Sequence, residues 1–172
     1  HALPVTSLAV TKDLKIVSGS EDRTVCIWSQ EHRTPIKQLE LDDAVRVVAC
    51  TPDMSEKNVI LAGCANGSIY LWNLADDDAK PIKIVDADKA HGKDTSITAL
   101  AFSPDGKYFA SGASDGSIRM WATWVHKKKE GQPDEIDYAI ERYAFVPANG
   151  VASSHEDAVT APAPDLVRRQ RR

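Results

Sequence analysis

Histidine, serine, aspartate and tryptophan occur together in two sets along the chain. The members of the two sets are His1, Ser18, Asp22 and Trp28, then His91, Ser111, Asp115 and Trp121. Serine, histidine and aspartate form the triad of many hydrolases, in which the histidine takes the proton of the serine hydroxyl. An enzyme needs one such site, whereas here the set is repeated with the same spacing from serine to tryptophan. The repetition therefore predicts a structural network and no catalytic residue.

Each set lies within a longer repeated segment. Three segments align without a gap: IVSGSEDRTVCIW (16–28), ILAGCANGSIYLW (60–72) and FASGASDGSIRMW (109–121). In each of them, two runs rich in β-branched and aromatic residues flank a short turn, which is typical of a β-hairpin. Asn66-Gly67 and Asp115-Gly116 favour such turns because these residue types adopt positive φ at little cost. The segments therefore predict a series of hairpins.

Further strands are predicted on both sides of these hairpins. A short apolar run precedes each hairpin, at residues 4–10, 44–50 and 96–102, and another follows the first two, at residues 35–41 and 81–87. The repeat unit is thus four antiparallel strands. The tryptophans that end the hairpins recur at nearly the spacing of about 40–45 residues that four-stranded propeller blades show.

The pattern resembles the WD-repeat β-propeller family, in which a loop with histidine, a strand, a turn with aspartate and a strand ending in tryptophan follow one another. The aspartate that usually comes after the tryptophan is replaced by Ser29, Asn73 and Ala122. The resemblance covers residues 1 to about 121 and returns at HEDAVT (155–160), as three repeats and an aborted fourth. It implies an all-β fold, a partial β-propeller of about three four-stranded antiparallel blades in an open arc, since closed propellers have about 4–8 blades.

The repeats also set the expected organisation of the chain. Blades are expected at about residues 1–41, 42–87 and 88–147, with a fourth starting at residue 155, so that WD repeats occupy residues 1–160 and an irregular basic tail occupies residues 161–172. The last strand of the third blade is expected at AIERYAFV (139–146). Before it lies an insertion, residues 124–138, that is either an exposed rim loop or a partner-binding spur bearing Lys127 to Lys129. Pro162 and Pro164 do not suit an interior strand, which indicates a truncated chain or a lost reading frame.

The resemblance further implies how each set is bonded: tryptophan to serine, serine to histidine, and histidine to aspartate. The bonding capacities agree, because an indole N–H only donates, a hydroxyl donates and accepts, and a neutral imidazole has one donor and one acceptor nitrogen. Such a chain leaves none of these polar groups unsatisfied when they are buried. The second repeat has Ala62, Asn66 and Asp42-Asp43 at the matching places and no histidine, so its network is expected not to form.

Composition and motifs exclude several other functions. The net charge of −4 gives no general attraction to nucleic acid or to an anionic membrane, and no apolar run reaches the roughly 18 residues of a membrane span. Phosphate-binding, zinc-protease and nucleophile-elbow motifs are absent, so neither a cofactor nor a metal site is predicted. The three cysteines lack CxxC spacing and suit a reducing compartment, predicted as the cytoplasm with the nucleus as the alternative.

The predicted function is a non-enzymatic scaffold that mediates protein–protein interaction and is a fragment of a larger propeller. The resemblance implies that a protein or peptide binds the loops at one face. Acidic residues outnumber basic ones in these loops, which favours a basic partner segment. The candidate partner-binding residues are Glu21, Arg23, Asp43, Asn66, Lys93 and Asp94.

Apolar faces at the two ends of the open arc predict a second kind of partner, either the remaining blades of a propeller or another copy of the chain. Two other hypotheses stay open. The chain is a regulatory or targeting segment of a longer multidomain enzyme, such as a signalling kinase or a protease, or it is a truncated product without a function of its own.

Overall fold

All the regular structure described here is β-sheet. The computed structural model describes residues 1–55, 57–74, 80–85, 91, 95–127 and 135–145. These residues form three four-stranded antiparallel sheets in which consecutive strands are neighbours, and none of them forms a helix long and apolar enough to cross a lipid bilayer. The predicted fold of three four-stranded antiparallel blades in an unclosed arc is confirmed. We call the sheets blade one, blade two and blade three in chain order.

The strand bounds repeat from blade to blade. Blade one consists of β1 (Val5–Val10), β2 (Ile16–Ser20), β3 (Thr24–Trp28) and β4 (Lys37–Glu40). Blade two consists of β5 (Val45–Cys50), β6 (Val59–Cys64), β7 (Ile69–Asn73) and β8 (Ile82–Val85). Blade three consists of β9 (Ile97–Phe102), β10 (Tyr108–Ala113), β11 (Ile118–Lys127) and β12 (Glu135–Phe145).

The last strand pair of blade three is longer than its counterparts. Strand β11 continues past Trp121 to Lys127, and β12 begins at Glu135, so part of the 124–138 insertion extends this pair as strand. The fourth strand expected at residues 139–146 lies within β12 as far as Phe145. The expected fourth repeat at residues 155–160 and the basic tail at 161–172 lie outside the described residues.

The blades stack through their first strands. Strand β5 packs across β1 and β2, and β9 packs across β5 and β6. Blade two is therefore covered on both faces, and β6 is buried along its whole length. Its sequence, VILAGC, has no polar alternation because neither face meets water. We call the face that a blade turns to its predecessor the back face, and the face that it turns to its successor the front face.

A glycine in the second strand of each blade allows this close stacking. A Cβ on Gly19 would lie 2.6 Å from Val45 Cγ1 of blade two, and a Cβ on Gly63 would lie 2.5 Å from Ile97 Cγ2 of blade three. Both distances are shorter than carbon atoms tolerate. Gly112 has the equivalent place in blade three, where a Cβ would meet only Ala99 Cβ at 3.5 Å among the described residues.

The glycine contacts predict that a glycine-to-alanine substitution destabilises one blade contact and has little effect at the equivalent place in blade three. Gly63→Ala is expected to lower the free energy of unfolding by about 1–3 kcal/mol, because the added methyl forces blade three away from blade two. Gly112→Ala is the matched control and is expected to change it by less than about 0.5 kcal/mol. Urea unfolding of dilute protein, followed by tryptophan fluorescence, measures both. Equal effects of the two substitutions would contradict the stacking.

Candidate functional site

In blade three, one chain of hydrogen bonds links tryptophan, serine, histidine and aspartate. Trp121 Nε1 donates to Ser111 Oγ over 2.8 Å, and Ser111 Oγ lies 2.8 Å from His91 Nε2. On the other side of the imidazole, Nδ1 lies 2.6 Å from Ser117 Oγ, which donates to Asp115 Oδ1 over 2.6 Å. Because Ser117 donates to the carboxylate, it accepts from His91 Nδ1–H, and Ser111 then donates to the bare Nε2. The bonds thus run in one direction, from indole to carboxylate.

Blade one holds a shorter version of this chain. Trp28 Nε1 donates to Ser18 Oγ over 2.8 Å, and Ser18 Oγ lies 2.7 Å from His1 Nε2. His1 Nδ1 lies 3.0 Å from Asp22 Oδ2 and 2.9 Å from Thr24 Oγ1, which itself donates to Asp22 Oδ1 over 2.6 Å. The histidine of blade one therefore contacts its aspartate directly, whereas in blade three a serine hydroxyl bridges the two.

Burial and charge fix the protonation states that the network of blade three needs. His91 is 5% exposed, and this burial together with the Arg119 charge lowers its pKa to about 4, although Asp115 opposes the shift. The imidazole is therefore neutral at pH 7 and keeps one acceptor nitrogen. Burial alone would raise the pKa of Asp115, but hydrogen bonds from the side chain and backbone of Ser117 lower it overall. The carboxylate at the end of the chain is therefore ionised.

Three hydroxyl residues were not among the site residues predicted from sequence: Thr24, Ser68 and Ser117. Each follows the turn aspartate or asparagine by two positions, and its backbone N–H donates to that side-chain oxygen over 2.8–3.0 Å. Two of them also contact the histidine of their blade. The sequence signal was a hydroxyl at the same place in all three repeats. Thr24 and Ser117 thus connect the turn of their blade to its imidazole.

Blade two keeps the tryptophan and lacks the network. Ala62 lies opposite Tyr70 in the register, where the other blades have serine, and it offers no acceptor. Two buried polar atoms, Trp72 Nε1 and Ser68 Oγ, have no hydrogen-bond partner in the described structure. An unsatisfied buried donor of this kind costs about 1–3 kcal/mol.

Blade two has aromatic packing and an ion pair where the other blades have the hydrogen-bond network. The rings of Tyr70 and Trp72 are stacked with their centroids 6.5 Å apart. Lys83 Nζ donates to Asp42 Oδ2 over 2.8 Å and lies 5.8 Å from the centroid of the Tyr70 ring. Burial raises the pKa of Tyr70, and the neighbouring Asp42 carboxylate raises it further. Blade two therefore has aromatic stacking and an ion pair where its neighbours have a chain of hydrogen bonds.

The geometry leaves little room for covalent chemistry in the described residues. Ser18 is 3% exposed and Ser111 is fully buried, and each hydroxyl already accepts from an indole. Burial raises the pKa of Cys50 and of Cys64 to about 12, so both thiols are protonated at neutral pH. No group of three or more metal-binding side chains occurs in the described part of the chain. The network joins the turn of blade one and that of blade three to the loop beside it.

The candidate partner-binding loops of blades one and two lie at the same edge of their blades. In blade one, Glu21 N donates to Pro4 O over 3.1 Å, which joins the β2–β3 turn to the segment before β1. In blade two, Ala65 N donates to Ala44 O over 2.8 Å in the same manner. This edge is called the loop edge below.

Charged side chains on the loop edge are partly paired. Glu21 Oε1 lies 3.1 Å from Arg46 Nη1, a bond that crosses from blade one to blade two, and Asp42 is paired with Lys83. Arg23 is exposed and has a positive φ of 65°.

The remaining candidates divide into two groups. Asp43 Oδ1 accepts from Ala44 N over 2.7 Å, and Asn66 Oδ1 accepts from Ser68 N over 3.0 Å, so both side chains help to shape their loops. Lys93 and Asp94 lie outside the described residues.

Comparison with protein-family models finds one match. The model described as WD domain, G-beta repeat, matches residues 1–29 and 81–122. Both sets of histidine, serine, aspartate and tryptophan lie within the matched ranges. Most of blade two, which lacks such a set, lies between these ranges.

Comparison with curated proteins finds similar chains of several kinds. The chain is 31% identical over 126 residues to apoptotic protease-activating factor 1 of Rattus norvegicus, covering 70% of this chain and 10% of that protein. It is 26% identical over 117 residues to serine-threonine kinase receptor-associated protein of Dictyostelium discoideum, covering 68% and 36%. It is 26% identical over 179 residues to guanine nucleotide-binding protein subunit beta-like protein of Encephalitozoon cuniculi, covering 94% and 50%. The chain thus spans between a tenth and a half of the length of these relatives.

Proposed function

The chain belongs to the WD-repeat family, and from this premise we propose that it is a non-enzymatic scaffold that binds a protein or peptide on its loop edge. The observation that carries the proposal is the combination of buried hydrogen-bond chains and exposed loops at the same edge. His1 and His91 hold the β-turns in place, and residues such as Arg23 and Asp42 stand exposed above them. Rigid strands that present variable loops suit recognition.

The names of two relatives support a role in assembly. One is a receptor-associated protein and another is a subunit-like protein. Protein association is the feature that these names share. We propose that this chain also associates with another protein. Neither name identifies that partner.

The charges on the loop edge support a basic partner segment. Arg46 and Lys83 already pair with the carboxylates of Glu21 and Asp42. A basic peptide would compete with these two side chains for the same carboxylates, at little net cost because exposed ion pairs are weak. Binding of this kind weakens as the salt concentration rises.

A peptide panel tests the loop edge. Lysine-rich, neutral and glutamate-rich peptides of equal length are titrated against the chain by fluorescence anisotropy, at low and at high salt. The lysine-rich peptides are expected to bind best. The double variant Glu21→Lys, Asp42→Lys is expected to lower the affinity for these peptides at least about tenfold, because like charges then face each other. The matched control is Asp53→Lys, an exposed carboxylate on the β5–β6 linker at the opposite edge. Equal losses from both variants, or no preference among the peptides, would count against the proposal.

A second candidate is a regulatory or targeting propeller segment of a longer protein. It is favoured by the coverage of the relatives, since the chain matches only 10% of apoptotic protease-activating factor 1 and 36% of the Dictyostelium protein. In this version the three blades are part of a larger propeller and any enzymatic activity resides elsewhere. Sequencing the full transcript tests it: further repeats joined to a kinase or protease domain would support it.

We extend the proposal to the compartment, as the cytoplasm or the nucleus. Cys26, Cys50 and Cys64 are all free in the structure, which supports placement of the protein in the reducing environment of the cytoplasm or nucleus. Fractionation of cells that express the full-length protein tests this part of the proposal.

A further inference from the structure

In blade two, a lysine is held between an aromatic ring and a carboxylate. Lys83 in β8 is the register partner of Tyr70 in β7, and its Nζ lies 5.8 Å from the centroid of the Tyr70 ring. The same Nζ donates to Asp42 Oδ2 over 2.8 Å. An aromatic face within about 6 Å and a carboxylate at hydrogen-bond distance both attract a positive charge. We call the Tyr70 ring and the Asp42 carboxylate the cation site.

The other two blades have different residues at this place. The register partners that correspond to Tyr70 and Lys83 are Cys26 and Gln38 in blade one, and Arg119 and Ala144 in blade three. Neither of these pairs contains an aromatic ring. Among the three described sheets, the cation site is therefore a feature of blade two, the blade that lacks the histidine network, and is not part of the repeated scaffold.

One polar atom of the cation site is left without a partner. Tyr70 is 5% exposed, and its hydroxyl oxygen is buried without a hydrogen bond in the described structure. Burial raises the pKa of Tyr70, and the Asp42 carboxylate raises it further, so the phenol is uncharged at neutral pH. A buried polar group of this kind is unfavourable until it is paired. A ligand that reaches the ring and carries an additional donor would pair it.

The cation site reaches solvent and keeps a negative charge while Lys83 is in place. The side chain of Asp42 is 59% exposed and that of Lys83 is 34% exposed. Burial raises the pKa of the nearby Cys64 thiol, the charges of Asp43 and Asp42 raise it further, and the charge of Lys83 lowers it. Two carboxylates and one lysine are thus close to the same thiol. A second cation is attracted to this surplus of negative charge.

We propose that the cation site binds an arginine side chain of a protein or peptide partner, and that Lys83 is an internal competitor which this arginine replaces. Because the Tyr70 ring is buried and Lys83 lies over it, an arriving cation reaches the ring by taking the place of Lys83. The exchange is feasible because an exposed ion pair contributes little to stability.

The chemistry of the exchange favours arginine over lysine. Lys83 already supplies an ammonium group, so a second ammonium group replaces it without new interactions. A guanidinium group adds two interactions, because it pairs with a carboxylate through two N–H groups and its plane stacks on an aromatic ring. It has five N–H donors, and one that is not used by Asp42 can donate to the unpaired hydroxyl of Tyr70.

This inference rests on the proposed function and makes it more specific. The scaffold proposal requires a basic segment on the loop edge. The inference names arginine as the side chain of that segment and the cation site as the place where it binds. The test therefore uses peptides that differ in one residue, and variants that change Lys83 separately from the other charges of the loop edge.

Three peptides of equal length test the cation site. Each consists of glycine and serine around one central residue, which is arginine, lysine or citrulline, the uncharged analogue of arginine. Binding to the full chain is followed by NMR titration, in which shifts of the Asp42, Tyr70 and Lys83 amides identify the site. The arginine peptide is expected to bind about fivefold more tightly than the lysine peptide and at least about tenfold more tightly than the citrulline peptide.

Lys83→Ala removes the internal competitor. This variant is expected to bind both the arginine and the lysine peptide about tenfold more tightly than the wild type, because neither cation then has to displace another. Lys15→Ala is the matched control. Lys15 Nζ pairs with Asp13 Oδ2 over 2.9 Å and its side chain is 37% exposed, but it lies on the β1–β2 linker at the opposite edge. It is expected to change neither affinity more than about twofold.

Two further substitutions separate the carboxylate from the ring. In the Lys83→Ala background, Asp42→Asn is expected to lower the affinity for both cationic peptides at least about tenfold. Tyr70→Leu is expected to abolish the preference for arginine over lysine, whereas Tyr70→Phe keeps the ring and is expected to retain most of it. Far-UV circular dichroism checks that each variant is folded. Asp42→Asn, at an exposed residue, decides the matter if Tyr70→Leu does not fold.

Three outcomes would overturn the inference. They are equal affinities for the arginine and citrulline peptides, affinities that Lys83→Ala leaves unchanged, and a gain from Lys15→Ala as large as that from Lys83→Ala. The last would show that net charge alone governs binding. The scaffold proposal survives each of them if lysine-rich peptides still bind best and lose affinity in the double variant Glu21→Lys, Asp42→Lys. Failure of that preference in the peptide panel counts against the scaffold proposal itself.

Discussion

Ser111→Ala is expected to lower the free energy of unfolding by about 2–6 kcal/mol. The Ser111 hydroxyl accepts from Trp121 Nε1 and contacts His91 Nε2, both over 2.8 Å and both within the core of blade three. Its removal leaves two buried polar atoms without a partner, and each costs about 1–3 kcal/mol. Urea unfolding at pH 7, followed by tryptophan fluorescence, measures the change.

Ala62→Ser tests, in the same experiment, the effect of adding a hydroxyl. Ala62 has the place of Ser111 in blade two, and Trp72 Nε1 has no acceptor there. A hydroxyl at this position is expected to raise the free energy of unfolding by about 1 kcal/mol, the usual net value of one hydrogen bond. If Ser111→Ala lowers the free energy of unfolding no more than an ordinary surface substitution does, the hydrogen-bond chain does not stabilise the fold and the prediction is wrong.

The stability of the chain is expected to fall by roughly 3 kcal/mol as the pH falls from about 6.5 to about 4, through His91 alone. Burial and the Arg119 charge lower the pKa of His91 to about 4 in the folded chain, against 6.5 for the unperturbed group. In this window the unfolded chain binds a proton at His91 and the folded chain does not, so acid favours unfolding. Above pH 6.5 the stabilisation that comes from keeping His91 neutral is fully present. Below the pKa of His91 in the folded chain, about 4, this stabilisation is lost.

His91→Gln is the matched variant because it does not titrate. The difference in unfolding free energy between wild type and variant is expected to depend on pH between 6.5 and 4 and to be constant above 7. Carboxylates act in a different range: the pKa of Asp13 is lowered to about 2 in the folded chain, so its stabilisation is present above pH 3.8 and is lost below it. A difference that is flat across the window from 6.5 to 4 would show that His91 is not held neutral.

Local sequence patterns were sufficient to predict most of the strands. The gapless repeat ending at Trp28, Trp72 and Trp121 defines β-hairpins because turn residues and β-branched runs act over a few neighbouring positions. The family resemblance then supplied the order of the strands and the open arc. The extension of β11 and β12 around the 124–138 insertion was not predicted, because a basic run followed by an acidic one lacks the apolar alternation that indicates a strand.

The candidate site was predicted by residue type and spacing, and its geometry was not. The sequence singled out the histidine, serine, aspartate and tryptophan of two repeats, but not that Ser117 bridges His91 to Asp115. Nor did it show that Arg46 and Lys83 pair with the acidic loop residues. Apart from the bond between Ser117 and Asp115, these bonds join residues 25 or more positions apart, so no local pattern contains them.

The sequence by itself determined that this chain is built from four-stranded β-units, because hydrophobic alternation and turn chemistry are properties of adjacent residues. Only the tertiary structure decided how these units meet. Gly19, Gly63 and Gly112 have the same place in the sequence repeat, yet the first two lie under a neighbouring blade, whereas no described residue of another blade lies over Gly112. Whether an apolar strand face is buried depends on what packs against it, and that is fixed by contacts between distant segments.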